Sequence, residues 1–360
     1  MAENYAFIGI QTFTIPFHSQ YNAERKSGLG AMGYAMASNI RRKMPASSTL
    51  YINDINAAAC TRFQNEYSTL GPIEILSTAR EAADNAKVLI SIVPAGVDVK
   101  KVYLDHETGV IAARKDKDRL ILECSTIDVE TTKEVGKTLG DGGWGIYIDT
   151  PVSGGVPAAQ SGTLAMLIGY PSPPSEPSPS TPYPHLLTPT LHMLGPPSKF
   201  HYLSTLGAGL TAKIANNYLS GTILLATAEA LALGTRHGLD PRALYAVIQS
   251  STGQSWMCDH VCPIPNVQTQ YWVPSNSGYR PGFRTEMMVK DLDLGVRSAA
   301  EVGVEPTMAR AALAVWERAA VDERCRGRDG SSVYLHVGGV LPEGYEDLGR
   351  KEGGEWVFGE

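Results

Sequence analysis

Apolar residues fall in short, unbroken blocks through the first half of the chain. The blocks are Tyr5–Ile10, Thr49–Asp54, Ala86–Pro94, Leu120–Thr126 and Ile146–Pro151. Continuous blocks of this length suit parallel strands buried on both faces, whereas a half-exposed strand would alternate. The stretches between them, around Asn56–Tyr67, Thr78–Asn85 and Val129–Leu139, carry helical spacing. Strand and helix in alternation predict a doubly wound parallel sheet, with ligands beyond the carboxyl ends of its strands. Val93-Pro94, Ser125-Thr126 and Pro151-Val152-Ser153 fall at those ends.

The pattern changes near Gly209. A long segment from Leu210 to His237 is apolar nearly all round, and helical periods recur at Pro241–Ser250, Thr285–Val302 and Pro306–Ala320. A length of 360 residues fits two domains. The expected fold is α/β: a Rossmann-type doubly wound sheet over residues 1–206, then an all-α domain over 207–323. Residues 324–360, Gly-rich and charged, read as a weakly ordered tail. Pro171–Pro189, dense in Pro and Ser, reads as an inserted loop without regular structure.

Composition narrows the class. A formal net charge of −6 argues against nucleic acid and anionic membrane as partners. Five scattered cysteines do not make a disulfide framework and favour a reducing compartment. Cys258 and Cys262 lack a second ligand pair, so no metal is expected. Neither a basic secretory n-region nor an Arg-rich transit segment is visible in Met1–Tyr5, and Asn216, Asn217 and Glu229 make the Ile214–Leu233 run a core helix rather than a membrane span.

The run Gly28-Leu29-Gly30-Ala31-Met32-Gly33 fits the G-x-G-x-x-G turn that brings a backbone and a helix N-terminus up to a pyrophosphate. A strand should end at its first glycine, but Ala23–Ser27 is not a strand. Removing residues 10–28 joins Tyr5–Gly9 directly to Leu29-Gly30-Ala31-Met32-Gly33. Residues 10–28 therefore read as an insertion, of the kind a retained intron leaves in a gene model. Gly9 and Gly28 then compete to close the first strand. Asp54, twenty-one residues past Gly33, stands where a ribose-binding carboxylate falls; it would repel a 2′-phosphate, which favours NAD over NADP.

Three groups of residues carry candidate chemistry. Lys213, Asn217 and Ser220 share one face of the apolar helix, with Asn216 beside them. A lysine in a cleft beside a positive centre has its pKa lowered and exchanges protons near neutral pH, while one at a helix end simply snorkels to water. Ser153-Gly154-Gly155 after a strand offers backbone N–H groups to a carboxylate, or is a plain turn. Lys290 lies on a helix and reads as a functional cation or as half of a surface ion pair.

Taken together, these motifs resemble the β-hydroxyacid dehydrogenase family. The matching residues are Phe7-Ile8-Gly9 with Leu29–Gly33, Met36–Asn39, Asp149–Leu164 and Gly207–Asn217. Ser251–Trp256, Pro263–Val267 and Tyr279–Phe283 leading to Lys290-Asp291-Leu292 suggest its 3-hydroxyisobutyrate branch; the resemblance spans about residues 5–320, outside the two insertions. It implies NAD-dependent oxidation of a small 3-hydroxy acid to its semialdehyde. Lys213 would relay the hydroxyl proton and Asn217 would orient substrate and lysine. Ser125, Ser153, Gly154 and Gly155 would hold the substrate carboxylate. Gly28, Leu29, Gly30, Ala31, Met32, Gly33, Asp54, Val93, Pro94, Thr126 and Lys290 would bind the cofactor. Asp98 stands where the family commonly has an asparagine. A reductase working in the reverse direction with NADPH is the alternative within the family, and a non-catalytic binding protein the alternative outside it. The expected partners are a hydroxy-acid substrate and further copies of the chain. The branch points to a mitochondrial location, with the cytoplasm as the alternative.

Overall fold

A computed structural model describes residues 3–9, 31–174, 184–342 and 345. The chain divides into two compact units, Met1–Lys213 and Ile214–Glu360.

In the first unit, strands β1 (Tyr5–Ile8), β2 (Leu50–Asn53), β3 (Ile73–Ile75), β4 (Val88–Ser91), β5 (Leu120–Glu123) and β6 (Ile146–Asp149) form one sheet in the order β3-β2-β1-β4-β5-β6. All pairs are parallel. Helices α1 (Ala31–Lys43), α2 (Ala57–Tyr67), α3 (Ala79–Asn85), α4 (Gly96–Leu104) and α5 (Val129–Gly142) connect them. Alternate residues feed two cores, which is why each strand is apolar throughout. Phe7, Ile52, Ile90, Leu122 and Ile148 pack with Met36 and Ile40 of α1. Ala6, Ile8, Leu89, Ile121 and Tyr147 pack with Val99, Tyr103 and Leu139 on the other side. The register aligns the last residues of five strands in one row: Asn53, Ile8, Ser91, Glu123 and Asp149. Four of the five are polar, so the apolar blocks end in a polar crest on the ligand side of the sheet.

Beyond β6 the chain builds β7 (Val152–Ser153), α6 (Gly155–Ser161), β8 (Ala165–Ile168), α7 (Leu187–Leu194) and β9 (Phe200–Tyr202). The three strands make a small second sheet. Its elements are two to four residues long, too short to show a period in the sequence. The loop expected over 171–189 is corrected at its end, because α7 starts at Leu187 and buries Leu187 and Leu191. Pro189 does not prevent this, since a proline in the first turn removes an N–H that has no helical partner anyway.

Helix α8 (Ala208–Arg236) begins in the first unit and continues as the opening helix of the second. The division thus falls at Lys213, inside the helix, rather than at 206/207. In length and composition α8 is long and apolar enough to cross a membrane. In the second unit Leu224, Ala228 and Leu231 of α8 belong to a core with Leu292, Val296 and Trp316, while Leu219 and Leu233 are exposed. The unit is completed by α9 (Pro241–Gln249), α10 (Trp256–His260), α11 (Thr285–Glu301), α12 (Thr307–Val321) and α13 (Val333–His336). The tail expected from residue 324 is also corrected: Cys325, Val333 and Tyr334 are fully buried in this core. Their apolar side chains are few and spaced by glycines, which hid them from a periodicity argument.

Candidate active site

The glycine turn is described only from Ala31, so Gly28, Leu29 and Gly30 lie outside the described residues, as does the insertion at 10–28. Ala31, Met32 and Gly33 form the first turn of α1. Gly9 closes β1 at φ 87°, where a Cβ would meet Ile92 O at 2.3 Å. Only glycine takes that turn without strain. Asp54 follows β2, half-buried, and its Oδ1 accepts from Asn56 N at 2.8 Å. Asp54 thus places an acceptor at the end of β2 and Gly9 gives β1 a tight exit, the two positions beside which a sheet of this kind receives a dinucleotide.

The crest between β4 and β5 is tied by side chains. Ser125 Oγ accepts from Val93 N at 2.7 Å, while Glu123 accepts from Ser125 N at 2.8 Å and from Ser91 Oγ at 2.5 Å. Burial pushes the Glu123 carboxyl up from the ordinary range, and its hydroxyl and N–H donors from Ser125 and Ser91 oppose this. Ser125, expected at the substrate, is buried, and its hydroxyl accepts from Val93 N. Val93, Pro94 and Thr126 are half-buried along the crest. Asp98 accepts from Ala95 N at 3.1 Å and so serves the start of α4.

Ser153 and Gly155 are half-buried and Gly154 is exposed, with positive φ at both glycines, 130° and 66°. Asp149, four residues earlier, is wholly buried. Its Oδ1 accepts from Gly207 N at 2.8 Å and its Oδ2 from Leu210 N at 2.9 Å. A carboxylate from a strand end thus caps the helix that carries Lys213, where the helix dipole favours negative charge. Burial pushes the Asp149 carboxyl up, against the pull of those backbone N–H groups. Lys213 is buried. Asp149 had no signal in the sequence beyond its place at the head of the 149–164 motif.

In the second unit Asn217 Nδ2 donates to Asp291 Oδ2 at 2.6 Å, and Lys290 Nζ lies 3.2 Å from Asp291 Oδ1. Asp291 is buried, and the sequence named it only as part of Lys290-Asp291-Leu292. Ser220 donates to Asn216 O on its own helix, a local bond. Among the described residues no His, Cys, Asp and Glu cluster suits a metal ion.

A parallel sheet with a polar crest, followed by a helical unit, is the frame of a nicotinamide-dependent dehydrogenase of the CH–OH class. Two family models agree. Residues 27–174 match the NAD binding domain of 6-phosphogluconate dehydrogenase, and residues 207–337 match the NAD-binding domain of NADP-dependent 3-hydroxyisobutyrate dehydrogenase. The chain belongs to the 3-hydroxyisobutyrate dehydrogenase family. It is 33% identical to 3-hydroxyisobutyrate dehydrogenase of Pseudomonas aeruginosa over 85% of this chain and 95% of that protein. It is 34% identical to the mitochondrial 3-hydroxyisobutyrate dehydrogenase of Mus musculus over 76% of this chain and 74% of that one. The solved 3-hydroxyisobutyrate dehydrogenase of Mycobacterium tuberculosis with L-serine superposes with a TM-score of 0.74 at 27% identity, covering 94% of this chain and all of that one.

Proposed function

We propose that this chain oxidises 3-hydroxyisobutyrate, or a close 3-hydroxy acid, to its semialdehyde with NAD, a step of valine catabolism. The observation that carries the reading is Asp149: one buried carboxylate anchors the helix of Lys213 and begins the segment that ends in Ser153-Gly154-Gly155. A base and an anion-binding turn rising from one residue are what a hydroxy acid needs.

Bound NAD would supply the hydride acceptor. Ser153 and the N–H groups of Gly154 and Gly155 hold the substrate carboxylate, which fixes the carbon bearing the hydroxyl. Lys213 takes the hydroxyl proton as the C–H bond breaks, and passes it to water afterwards. Asn217, one turn further along α8, orients the hydroxyl and the lysine. Asp54 accepts from the adenosine ribose, and its charge favours NAD over NADP. Val93, Pro94, Thr126 and Lys290 complete the cofactor contacts, and Ser125, whose hydroxyl accepts from Val93 N, joins Ser153 and the glycines at the substrate carboxylate. Exposed Leu219 and Leu233 on α8 support a homo-oligomer, and the mouse relative's name supports a mitochondrial location.

Steady-state assays with 3-hydroxyisobutyrate, 3-hydroxypropionate and L-serine, each with NAD and NADP, test this. The expected result is highest kcat/KM for 3-hydroxyisobutyrate with NAD, and loss of turnover in Lys213→Ala with NAD affinity retained. Preference for NADP and the semialdehyde would support the reductase reading instead. The L-serine arm is motivated by the mycobacterial structure. Near-normal turnover in Lys213→Ala would sink the assignment.

A further inference from the structure

At the ligand edge of the sheet the backbone ladder ends one step before the loops that follow β4 and β5. Cys124 N still reaches Ser91 O at 2.8 Å, and Ile92 N reaches Ile8 O at 3.1 Å. The next N–H group, Val93 N, is met by a side chain, Ser125 Oγ at 2.7 Å. Ser125 is held in turn by Glu123, whose carboxyl accepts from its backbone N–H at 2.8 Å. The other carboxyl oxygen takes Ser91 Oγ at 2.5 Å, and Ser91 is bonded to Tyr103 OH of α4. Glu123, Ser91 and Tyr103 are all fully buried.

The contacts around Glu123 use its carboxyl as an acceptor. Ser125 N–H and Ser91 O–H donate to it, Tyr103 OH shares a hydrogen bond with Ser91 Oγ, and Val93 N–H donates to Ser125 Oγ. A carboxylate without solvent is costly, and the sheet does not need one here. The strands pair through their own backbones, and an apolar residue at 123 would serve the core equally well. What the carboxylate adds is a fixed distance between two loops.

We propose that Glu123 is a positioning residue for the cofactor: through Ser91, Tyr103 and Ser125 it locks Val93-Pro94 and Ser125-Thr126 in the spacing that receives the nicotinamide end. The inference rests on the reading that these two loops touch the cofactor. Replacing the carboxylate with an amide keeps the size but turns one acceptor into a donor. Whichever way the amide turns, one of the two donors, Ser91 O–H or Ser125 N–H, then faces an NH2 group in place of an acceptor.

The test is NAD binding to the full chain by isothermal titration, beside thermal unfolding, in Glu123→Gln, Ser91→Ala, Ser125→Ala and the Glu123→Gln/Ser125→Ala double variant. Glu123→Gln should raise the NAD Kd about tenfold at a temperature well below its Tm. The double variant should bind no worse than the weaker single one, because both changes break the same link. A purely structural residue would lower Tm and leave Kd alone. If Glu123→Gln does not fold, Ser91→Ala, which removes one donor and keeps the carboxylate, should still weaken NAD binding severalfold. Wild-type Kd in both variants, or additive losses in the double variant, overturns the proposal alone. A wild-type chain that binds no NAD overturns the proposal together with the reading beneath it.

Discussion

The Asp149 carboxylate lies 2.9 Å from the backbone N–H of Leu210, and the same carboxylate takes Gly207 N at 2.8 Å. A long helix normally finds its cap in the preceding residue. Here the cap comes from the end of β6, so the first turn of α8 is fixed by the sheet. Asp149→Ala leaves two buried N–H groups without acceptors, at a cost of about 3 kcal/mol. Urea unfolding should show that loss, and kcat should fall with it. A loss under about 1 kcal/mol would mean that the cap is dispensable.

Gly209 gives a prediction of sign. A glycine-to-alanine change inside a helix ordinarily stabilises by about 0.5–1 kcal/mol. At Gly209 the new Cβ would meet Leu167 O at 2.3 Å and Asp149 Oδ2 at 2.8 Å. Leu167 O is backbone and cannot swing aside, so Gly209→Ala should destabilise and push the carboxylate off its two N–H donors. Differential scanning calorimetry decides it, and a raised Tm would refute the close approach.

The same geometry explains what was legible in the sequence. Unbroken apolar blocks such as Val88–Ser91 and Leu120–Glu123 announced a doubly buried parallel sheet, and the apolar length of α8 announced a helical second unit. Spacing singled out Lys213, Asn217 and Asp54, and the family resemblance supplied the roles expected of them. The supporting residues stayed hidden, because Asp149, Glu123 and Asp291 act through partners far away in the chain, 61 residues for Asp149 with Leu210 and 74 for Asn217 with Asp291. Local spacing carries no trace of such pairs. The Ser125 hydroxyl likewise meets Val93 N, a partner 32 residues away that no local spacing marks.

Asp291 sets which end of the Asn217 amide faces outward. With Nδ2 bound to Asp291 at 2.6 Å, the Oδ1 end is the one that Asn216 reaches at 3.3 Å. Asp291→Asn removes the charge-assisted bond and lets the amide turn over. The expected effect is a fall in kcat/KM of about tenfold, with NAD affinity little changed. The measurement is steady-state kinetics at saturating NAD, and a value within twofold of wild type would show that Asn217 does not depend on its partner.

The last prediction concerns acid. Asp322 accepts from Arg324 Nη2 at 2.7 Å and lies 2.7 Å from His336 Nδ1, so it ties the end of α12 to the segment once read as a tail. The Arg324 guanidinium holds its carboxyl well below its ordinary value of 3.8. The folded state therefore binds this proton less readily than the unfolded chain. The bond stabilises fully above that ordinary value and is lost as pH falls through the lowered one. Arg324 is more than half exposed, so the contribution is modest, about 1 kcal/mol at neutral pH. Asp322→Asn should be less stable than wild type at pH 7, with the gap closing as pH drops below about 4. Chemical denaturation at a series of pH values reads this directly, and a gap that widened toward acid would reverse the sign of the argument.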